Sequence, residues 1–379
     1  MAKLDFNNLG FDLVECKSYI SYEWTEGSGW SAGELINGSE PLAMPVYATA
    51  LHYGQACFEG LKAFRMKDGK VRIFRPQLNA ARLQRSCQVL AMAAPPTELF
   101  LDALVRVVQD NIEFVPPYGL NGSLYIRPLV FGSGAQIGLT PAKTIRFVIV
   151  VNPVGDYYKG GLASPVNALI QHGFDRAAPN GCGSVKVSGN YGPVFKPTIN
   201  AKQRGYSVML FLDSKTDSCI EEFATSNFAA LTRADPSTGC RTYVTPKSSS
   251  ILPSVTNRSL TELAAKHFHW NVERRVIRWS ELQNNCFDEV AACGTAVVIT
   301  PVASIDREVS TATPPIEAST DIDSLWIDDQ QNSQVTIERV ELRGNGSGFK
   351  QLYEAYRQLQ SGELHDWQSY HWMYPEEGI

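Results

Sequence analysis

Apolar and polar positions follow one another along the chain in blocks of two periods, and the blocks predict a mixed α/β protein. Val71-Arg72-Ile73-Phe74 reads as a strand leaving the turn Asp68-Gly69. Leu101, Leu104, Val105, Val108 and Ile112 recur at helical spacing, with Thr97 placed to cap that helix and Pro116-Pro117 to stop it. Residues 124–131 and 144–151 are β-rich, and the second run is nearly all apolar, as a strand covered on both faces would be. Composition then shifts. Pro153, Gly155, Gly160 and Gly161, with Tyr157 and Tyr158 among them, mark a connection between two domains. The second half predicts a helix over 195–204 closed by Gly205, a strand over 206–212, and helices over 258–267 and 349–359. The last of these follows Gly344-Asn345-Gly346-Ser347-Gly348. That loop lacks a preceding parallel strand and the rest of a nucleotide fingerprint, so it reads as the lead-in to a helix.

Length and charge narrow the function. The chain has 379 residues, 44% of them apolar and 19% charged, which is ample for two domains with real cores. Its net charge of −5 offers no basic surplus for a nucleic-acid backbone. No apolar run approaches the roughly 20 residues of a membrane helix. Residues 1–20 show neither a secretory nor a mitochondrial address, so the cytoplasm is the expected compartment. The eight cysteines form no CxxC pair and read as free thiols, mostly buried. The sequons at Asn37, Asn121, Asn257 and Asn345 read as turns. His267-x-His269 does not share a helix face and has no third ligand at metal-site spacing. The common hydrolase motifs and the Walker A loop have no counterpart in the sequence.

Two segments carry candidate chemistry. Ser184-Val185-Lys186-Val187-Ser188-Gly189-Asn190-Tyr191-Gly192-Pro193 sets a lysine among small and apolar residues with no acid beside it. Burial there would lower its pKa and supply the neutral amine that a Schiff base needs; a surface lysine beside a Gly-Asn turn is the other reading. Ile220-Glu221-Glu222-Phe223-Ala224-Thr225-Ser226-Asn227-Phe228 packs two acids into a short polar stretch at a strand end. It reads as a buried carboxylate able to hold a proton on a ring nitrogen, or as an acidic turn.

Read together, these segments resemble the branched-chain amino acid aminotransferases, a pyridoxal-phosphate family of fold type IV. The resemblance runs from about Tyr22 to the C-terminal helix. It includes Leu51-His52-Tyr53-Gly54-Gln55-Ala56-Cys57-Phe58-Glu59-Gly60-Leu61-Lys62-Ala63-Phe64-Arg65, Phe74-Arg75-Pro76 with Asn79-Ala80-Ala81-Arg82, and Tyr125-Ile126-Arg127-Pro128. It continues through the lysine and glutamate segments, Leu252-Pro253-Ser254-Val255-Thr256-Asn257-Arg258, and Gly294-Thr295-Ala296. Their joint order is the signal.

The resemblance implies an α/β fold with a smaller N-terminal α+β domain (1–154), an interdomain loop (155–163) and a larger C-terminal domain (164–379), with pyridoxal 5′-phosphate between them. Lys186 matches the Schiff-base lysine and proton shuttle, Tyr191 the contact to the cofactor's phenolic oxygen, and Glu222 the partner of its ring nitrogen. Arg82, Val255, Thr256 and Thr295 match phosphate contacts. Tyr53, Phe58, Tyr125 and Thr225 match pocket positions, and Thr295 and Ala296 a turn for the substrate carboxylate. Arg127 matches an arginine organising that end through Tyr53. Ile137 and Leu139 match a loop reaching the neighbouring subunit's pocket, which implies a homodimer. The implied reaction is ping-pong transfer of an amino group from L-leucine, L-isoleucine or L-valine to 2-oxoglutarate, without metal, membrane or nucleic acid. Departures at Ser188, Ala224 and Ser226, where the family has glycine, glycine and a bulky apolar residue, lie beside the pocket. They keep open an unusual aliphatic substrate of a specialised peptide or secondary-metabolite pathway, and a D-amino acid or R-amine transaminase as alternatives.

Overall fold

The computed structural model describes residues 4–155, 162, 164–310 and 335–379, and it folds into two α/β domains, each built on its own sheet. The strands of the first half are β1 (Ser18–Thr25), β2 (Gly29–Trp30), β3 (Glu34–Asn37), β4 (Ala56–Phe58), β5 (Leu61–Arg65), β6 (Val71–Phe74), β7 (Ser123–Gly132) and β8 (Thr144–Val154). They pair antiparallel throughout, with β7 and β8 in continuous register from Ser123↔Val154 to Gly132↔Ile145. The helices of this half are α1 (Thr49–Tyr53), α2 (Pro76–Val89) and α3 (Thr97–Asp110). The second sheet is made of β9 (Val166–Ile170), β10 (Val208–Leu212), β11 (Ile220–Phe223), β12 (Asn227–Leu231), β13 (Thr242–Pro246), β14 (Asn271–Arg275), β15 (Glu289–Gly294), β16 (Val298–Ser310) and β17 (Val335–Glu341). With it go α4 (Phe195–Gln203), α5 (Val255–Lys266), α6 (Trp279–Gln283) and α7 (Ser347–Ser361). A last strand, β18 (Met373–Tyr374), leaves the second half and pairs with β6, crossing the division at 154/164 that the sequence suggests. Of the connection expected at 155–163, residues 156–161 and 163 lie outside the described residues. Among the described residues no helix is long and apolar enough to cross a membrane.

Period-two alternation along β7 sets up one wall of the site. Leu124, Ile126 and Val130 face a core shared with Phe100, Leu104 and Val108 of α3, while Tyr125 and Arg127 point to the opposite face and are half-buried. The neighbouring β8 departs from the expected two-sided burial. Ile145, Phe147, Ile149 and Val151 are buried on the α3 side, but Val150 on the other side is exposed. The helix α3 also differs in phase. Its buried face is Phe100, Ala103, Leu104, Val107 and Val108, whereas Leu101, Val105 and Ile112 are only half-buried. The apolar residues of this segment outnumber one stripe, and Phe100 takes the stripe inward. Pro96 occupies the cap position and Thr97 is the first helical residue, without a capping hydrogen bond.

In the second half, α5 starts earlier than its apolar spacing predicts. Ser254 accepts a hydrogen bond from the Asn257 amide and caps the helix at Val255, so Asn257 is a buried first-turn residue and not a turn. Its side chain bonds Tyr243, Thr245 and Asn227. The glycine loop before α7 is a helix lead-in, as its context indicated. The amides of Gly348 and Phe349 donate to the Glu289 carboxylate, so a protein acid fills the anion-binding end of that helix. All eight cysteines are free; Cys16, Cys57, Cys87 and Cys293 are buried, while Cys182 and Cys286 are exposed.

Phe147 tests the first core. It is fully buried and stacks between Tyr22 and Phe100. Phe147→Ala is expected to cost about 3–5 kcal/mol of stability, and Val150→Ala less than about 1 kcal/mol. Urea unfolding of both variants checks the contrast.

Candidate active site

The lysine segment belongs to the second half by sequence but docks on the first sheet. Cys57 and Val187 form a β-bridge, the Phe58 amide donates to the Lys186 carbonyl, and the Lys186 amide donates to Ser86 Oγ on α2. These backbone bonds fix where the Lys186 side chain leaves the chain. Its amine donates to the Tyr191 hydroxyl at 2.7 Å and sits 4.6 Å from the Phe58 ring centroid and 4.8 Å from that of Tyr191. Burial, and then the Arg82 guanidinium, pull the Lys186 pKa down to about 7, so a large neutral fraction exists at neutral pH. Burial, and then Glu222, push the Tyr191 hydroxyl up, which keeps it protonated as a donor.

Glu222 stands at the end of β11, cross-strand from Asn227 of β12. It is buried. Oε1 accepts from Arg176 Nη2 at 2.7 Å and from the Leu252 amide at 3.1 Å, and Oε2 accepts from Asn227 Nδ2 at 2.7 Å. A carboxylate has about four lone-pair sites. Three are filled, so one further donor can be accepted. Burial raises the Glu222 pKa to about 7, with Arg176 the first opposing influence.

Arg82, on α2, is held differently from the expectation. Nε and Nη2 pair with the two oxygens of the fully buried Glu59 at 2.7 Å each, and Nη1 donates to the Pro253 carbonyl at 3.0 Å. Three of the five guanidinium N–H groups are so used. The fork that the sequence assigns to a phosphate is therefore also half of a protein ion pair. Gly60 follows Glu59 where any side chain would run into the Tyr125 hydroxyl. Beside this pair a cavity of about 20 Å³ is lined by Gly60, Lys62, Asn79, Val255, Thr256 and Thr295. Thr295 Oγ1 donates to the Gly60 carbonyl and Lys62 Nζ to the Ala296 carbonyl, so the turn between β15 and β16 is strapped to the first sheet. The turn ends in Val298, at φ 63°, a strained conformation for a β-branched residue.

The remaining predicted residues fall into two groups. Phe58, Tyr125 and Arg127 join Lys186. Arg127 Nη2 donates to the Tyr125 hydroxyl at 2.8 Å, in place of the Tyr53 link expected from sequence, and its guanidinium lies 4.8 Å from the Phe58 ring. Arg127 Nε is buried without a partner, a donor that can meet a bound carboxylate. Thr225 is exposed on the turn between β11 and β12, where Ser226 approaches Gly294. Tyr53, Ile137 and Leu139 form a separate exposed cluster in which the Tyr53 hydroxyl donates to the Ile137 carbonyl; within one chain the structure does not bring them to Lys186. Sequence reasoning gave no role to Glu59, Arg176 and Asn227. Glu59 had a signal, an acid inside the apolar run Cys57–Leu61 that demands a partner. Arg176 lies in irregular chain and had none.

The resemblance implies pyridoxal phosphate, and the donor set can be tested against it. Its aldehyde calls for the neutral Lys186 amine, its phenolic oxygen for the Tyr191 hydroxyl, and its ring N–H for the one open acceptor site of Glu222. Its phosphate calls for the first-turn amides of α5 at Val255 and Thr256, which have no intrahelical partner. Thr256 and Thr295 line one small cavity, and Arg82 lines a second one with Asn227, Leu252 and Pro253, the two sharing Val255. The residues fit the group.

The comparisons with known proteins agree. The family model described as amino-transferase class IV matches residues 56–305. A branched-chain-amino-acid aminotransferase of Helicobacter pylori is 43% identical over 305 residues, covering 80% of this chain and 87% of its own. The branched-chain amino acid aminotransferase gloG of Glarea lozoyensis is 36% identical over 366 residues, 96% of this chain and 94% of its own. The structure of the branched-chain amino acid aminotransferase from Thermobaculum terrenum in its PLP form superposes with a TM-score of 0.68 at 20% identity, over 95% of this chain and 98% of that one. The chain belongs to the class IV aminotransferases, enzymes that transfer amino groups through pyridoxal phosphate.

The Lys186 amine supplies a direct test. With a pKa of about 7, its neutral fraction rises about tenfold between pH 6 and pH 8. Borohydride trapping of pyridoxal phosphate on the apoprotein, read by peptide mass spectrometry, is expected to label Lys186 about tenfold faster at pH 8. A lysine of ordinary pKa would remain overwhelmingly protonated at both values and label slowly at each.

Proposed function

We propose that this enzyme is a branched-chain amino acid aminotransferase, moving the amino group of L-leucine, L-isoleucine or L-valine to 2-oxoglutarate, reversibly and in two half-reactions. The observation that carries the reading is the Lys186–Tyr191–Phe58 cluster facing a buried acceptor at Glu222. The substrate class draws on the named relatives, and the aromatic and aliphatic surroundings of Lys186 agree with it.

When bound, pyridoxal phosphate supplies a conjugated ring whose protonated nitrogen accepts the electron pair released as the substrate Cα loses its proton. The chain's own residues do the rest. Lys186 would hold the cofactor through its aldehyde carbon and, when free, would be the base that takes the proton from the substrate Cα and delivers it to the cofactor C4′. Tyr191 orients Nζ through the 2.7 Å hydrogen bond. Glu222, ionised, holds the proton on the ring nitrogen. Arg127, with its unpartnered Nε, and the amides of the Thr295–Ala296 turn orient the substrate carboxylate. Phe58 covers the amine and limits water beside it. The small residues Ala224 and Ser226 border the side-chain end of the pocket. A longer or more polar aliphatic substrate is the reading they favour second.

Tyr53, Ile137 and Leu139, with Val46, Tyr47 and Leu51, expose a contiguous apolar surface on one chain. We infer that a second copy covers it, completing each pocket from the partner and giving a homodimer.

Adding L-leucine without an oxo acid is expected to bleach the visible band of the holoenzyme, and Lys186→Ala to lower turnover by about 10²–10⁴-fold. A band unmoved by L-leucine would redirect the substrate search to longer aliphatic and D-amino acids; wild-type turnover in Lys186→Ala would end the assignment. For the dimer, the double variant Ile137→Asp and Leu139→Asp is expected to sediment as a monomer with at least tenfold lower activity. A dimer of unchanged mass would exclude this surface.

A further inference from the structure

Arg176 is, among the described residues, the one buried cation in direct contact with Glu222, and no role has been attached to it. It leaves an irregular segment between β9 and the lysine segment. Its Nη2 pairs with Glu222 Oε1 at 2.7 Å and also donates to the carbonyls of Ser250 and Gly183, which aim the guanidinium. Its side chain is almost wholly buried, and its Nε has no partner. Charge of this kind is expensive to bury, and the carbonyl contacts alone do not require a full positive charge.

The geometry explains the expense. Arg176 approaches Oε1, while Asn227 holds Oε2, the oxygen with the open acceptor site. Arg176 is therefore placed to stabilise the carboxylate without blocking the position a ring N–H would take. The other titratable and charged groups around Glu222 do not replace it. Glu221, adjacent on β11, repels it and is itself held by Ser248. Arg82 is neutralised by Glu59. Lys186 loses its charge near neutral pH, and Tyr191 and Cys293 bring none. We propose that Arg176 is a positioning residue that keeps Glu222 ionised, and so keeps the ring nitrogen of the bound cofactor protonated. The proposal rests on the reading of Glu222 given above.

The sign follows from the charges. Burial raises the Glu222 carboxyl and Arg176 opposes it. Removing Arg176 lets Glu222 protonate at higher pH, where it can no longer pair with a ring N–H. Cofactor binding and turnover then need a more alkaline solution.

The test uses the full chain and titrates the apoprotein with pyridoxal phosphate by tryptophan fluorescence from pH 5.5 to 9, alongside the pH profile of kcat/KM. Arg176→Gln keeps hydrogen-bonding capacity without charge; Arg176→Lys keeps charge without the fork. In Arg176→Gln the acid limb of binding is expected to move up by about one pH unit, a tenfold loss of affinity on that limb. Arg176→Lys is expected to move it by less than half as much. In a Glu222→Gln background, Arg176→Gln is expected to add no further shift, because Lys186 still titrates there but the coupled carboxylate is gone. A wild-type limb in Arg176→Gln, equal damage in both single variants, or an undiminished shift in the Glu222→Gln background would each overturn the proposal. If Arg176→Gln does not fold, a limb in Arg176→Lys displaced by a full unit decides against it. If Glu222→Gln itself binds the cofactor with the wild-type profile, the reading of Glu222 fails, an outcome distinct from failure at Arg176.

Discussion

The structure is organised around the cost of burying charge. Glu59, Arg82 and Glu222 are buried, the Arg176 side chain nearly so, and the Lys186 amine packs between Phe58 and Tyr191; a buried ion without a partner costs several kcal/mol. Each is answered in a different way. Glu59 and Arg82 neutralise each other through a two-bond fork. Glu222 is shared among a guanidinium, an amide and an asparagine. Lys186 receives no acid at hydrogen-bond distance and answers by giving up its proton near neutral pH. Among the described residues Lys186 pairs with a hydroxyl and not with an acid, so the electrostatics of the interface and the availability of a neutral amine have one origin.

That arrangement needs backbone precision, and the sheets supply it. The single Cys57↔Val187 bridge docks the lysine segment on β4, and the Glu222↔Asn227 pairing sets the acid at a hairpin end. The turn at Thr295 is tied across by Lys62 and Gly60. Side chains that would meet one reactant thus depart from strand ends of two separate sheets. Their relative placement is fixed by hydrogen bonds between the domains and by apolar packing across them: Phe64, Met66 and Phe74 of the first half share a core with Leu231, Tyr243 and Leu260 of the second, and Val185 and Val187 sink into the core of the first.

Much of this was legible in the sequence, for physical reasons. Strand β6, the helices α4, α5 and α7 and the lead-in to α7 follow from turn residues and apolar spacing, which are local; the short α6 has no such signal. Lys186 stands out as a lone cation among small and apolar residues, Glu222 as one of two acids in a polar stretch at a strand end, and Tyr191 only through the family resemblance. The misses are also physical. The phase of α3 was wrong because Leu101 and Val105 are apolar but only half-buried, and spacing cannot say which of two stripes meets the sheet. The sequon at Asn257 reads as a turn, but its side chain is recruited by Tyr243 and Thr245 of β13 and by Asn227 of β12, contacts that no local spacing encodes. Arg176 and the Glu59–Arg82 fork are contacts between segments with no periodic relation, and no local pattern encodes them.

The strand β18 has a consequence for how the molecule is made. It pairs with β6 through Met373↔Phe74 and Tyr374↔Ile73, and Val71 exchanges backbone hydrogen bonds with Ile379. On a ribosome β6 emerges long before its partner, with the whole second sheet synthesised in between. Throughout that interval the first sheet presents an unpaired edge, the kind of surface on which strands of other chains add. The nascent protein is therefore vulnerable to aggregation after its first domain has been translated, and the segment from Met373 to Ile379 is what closes that window.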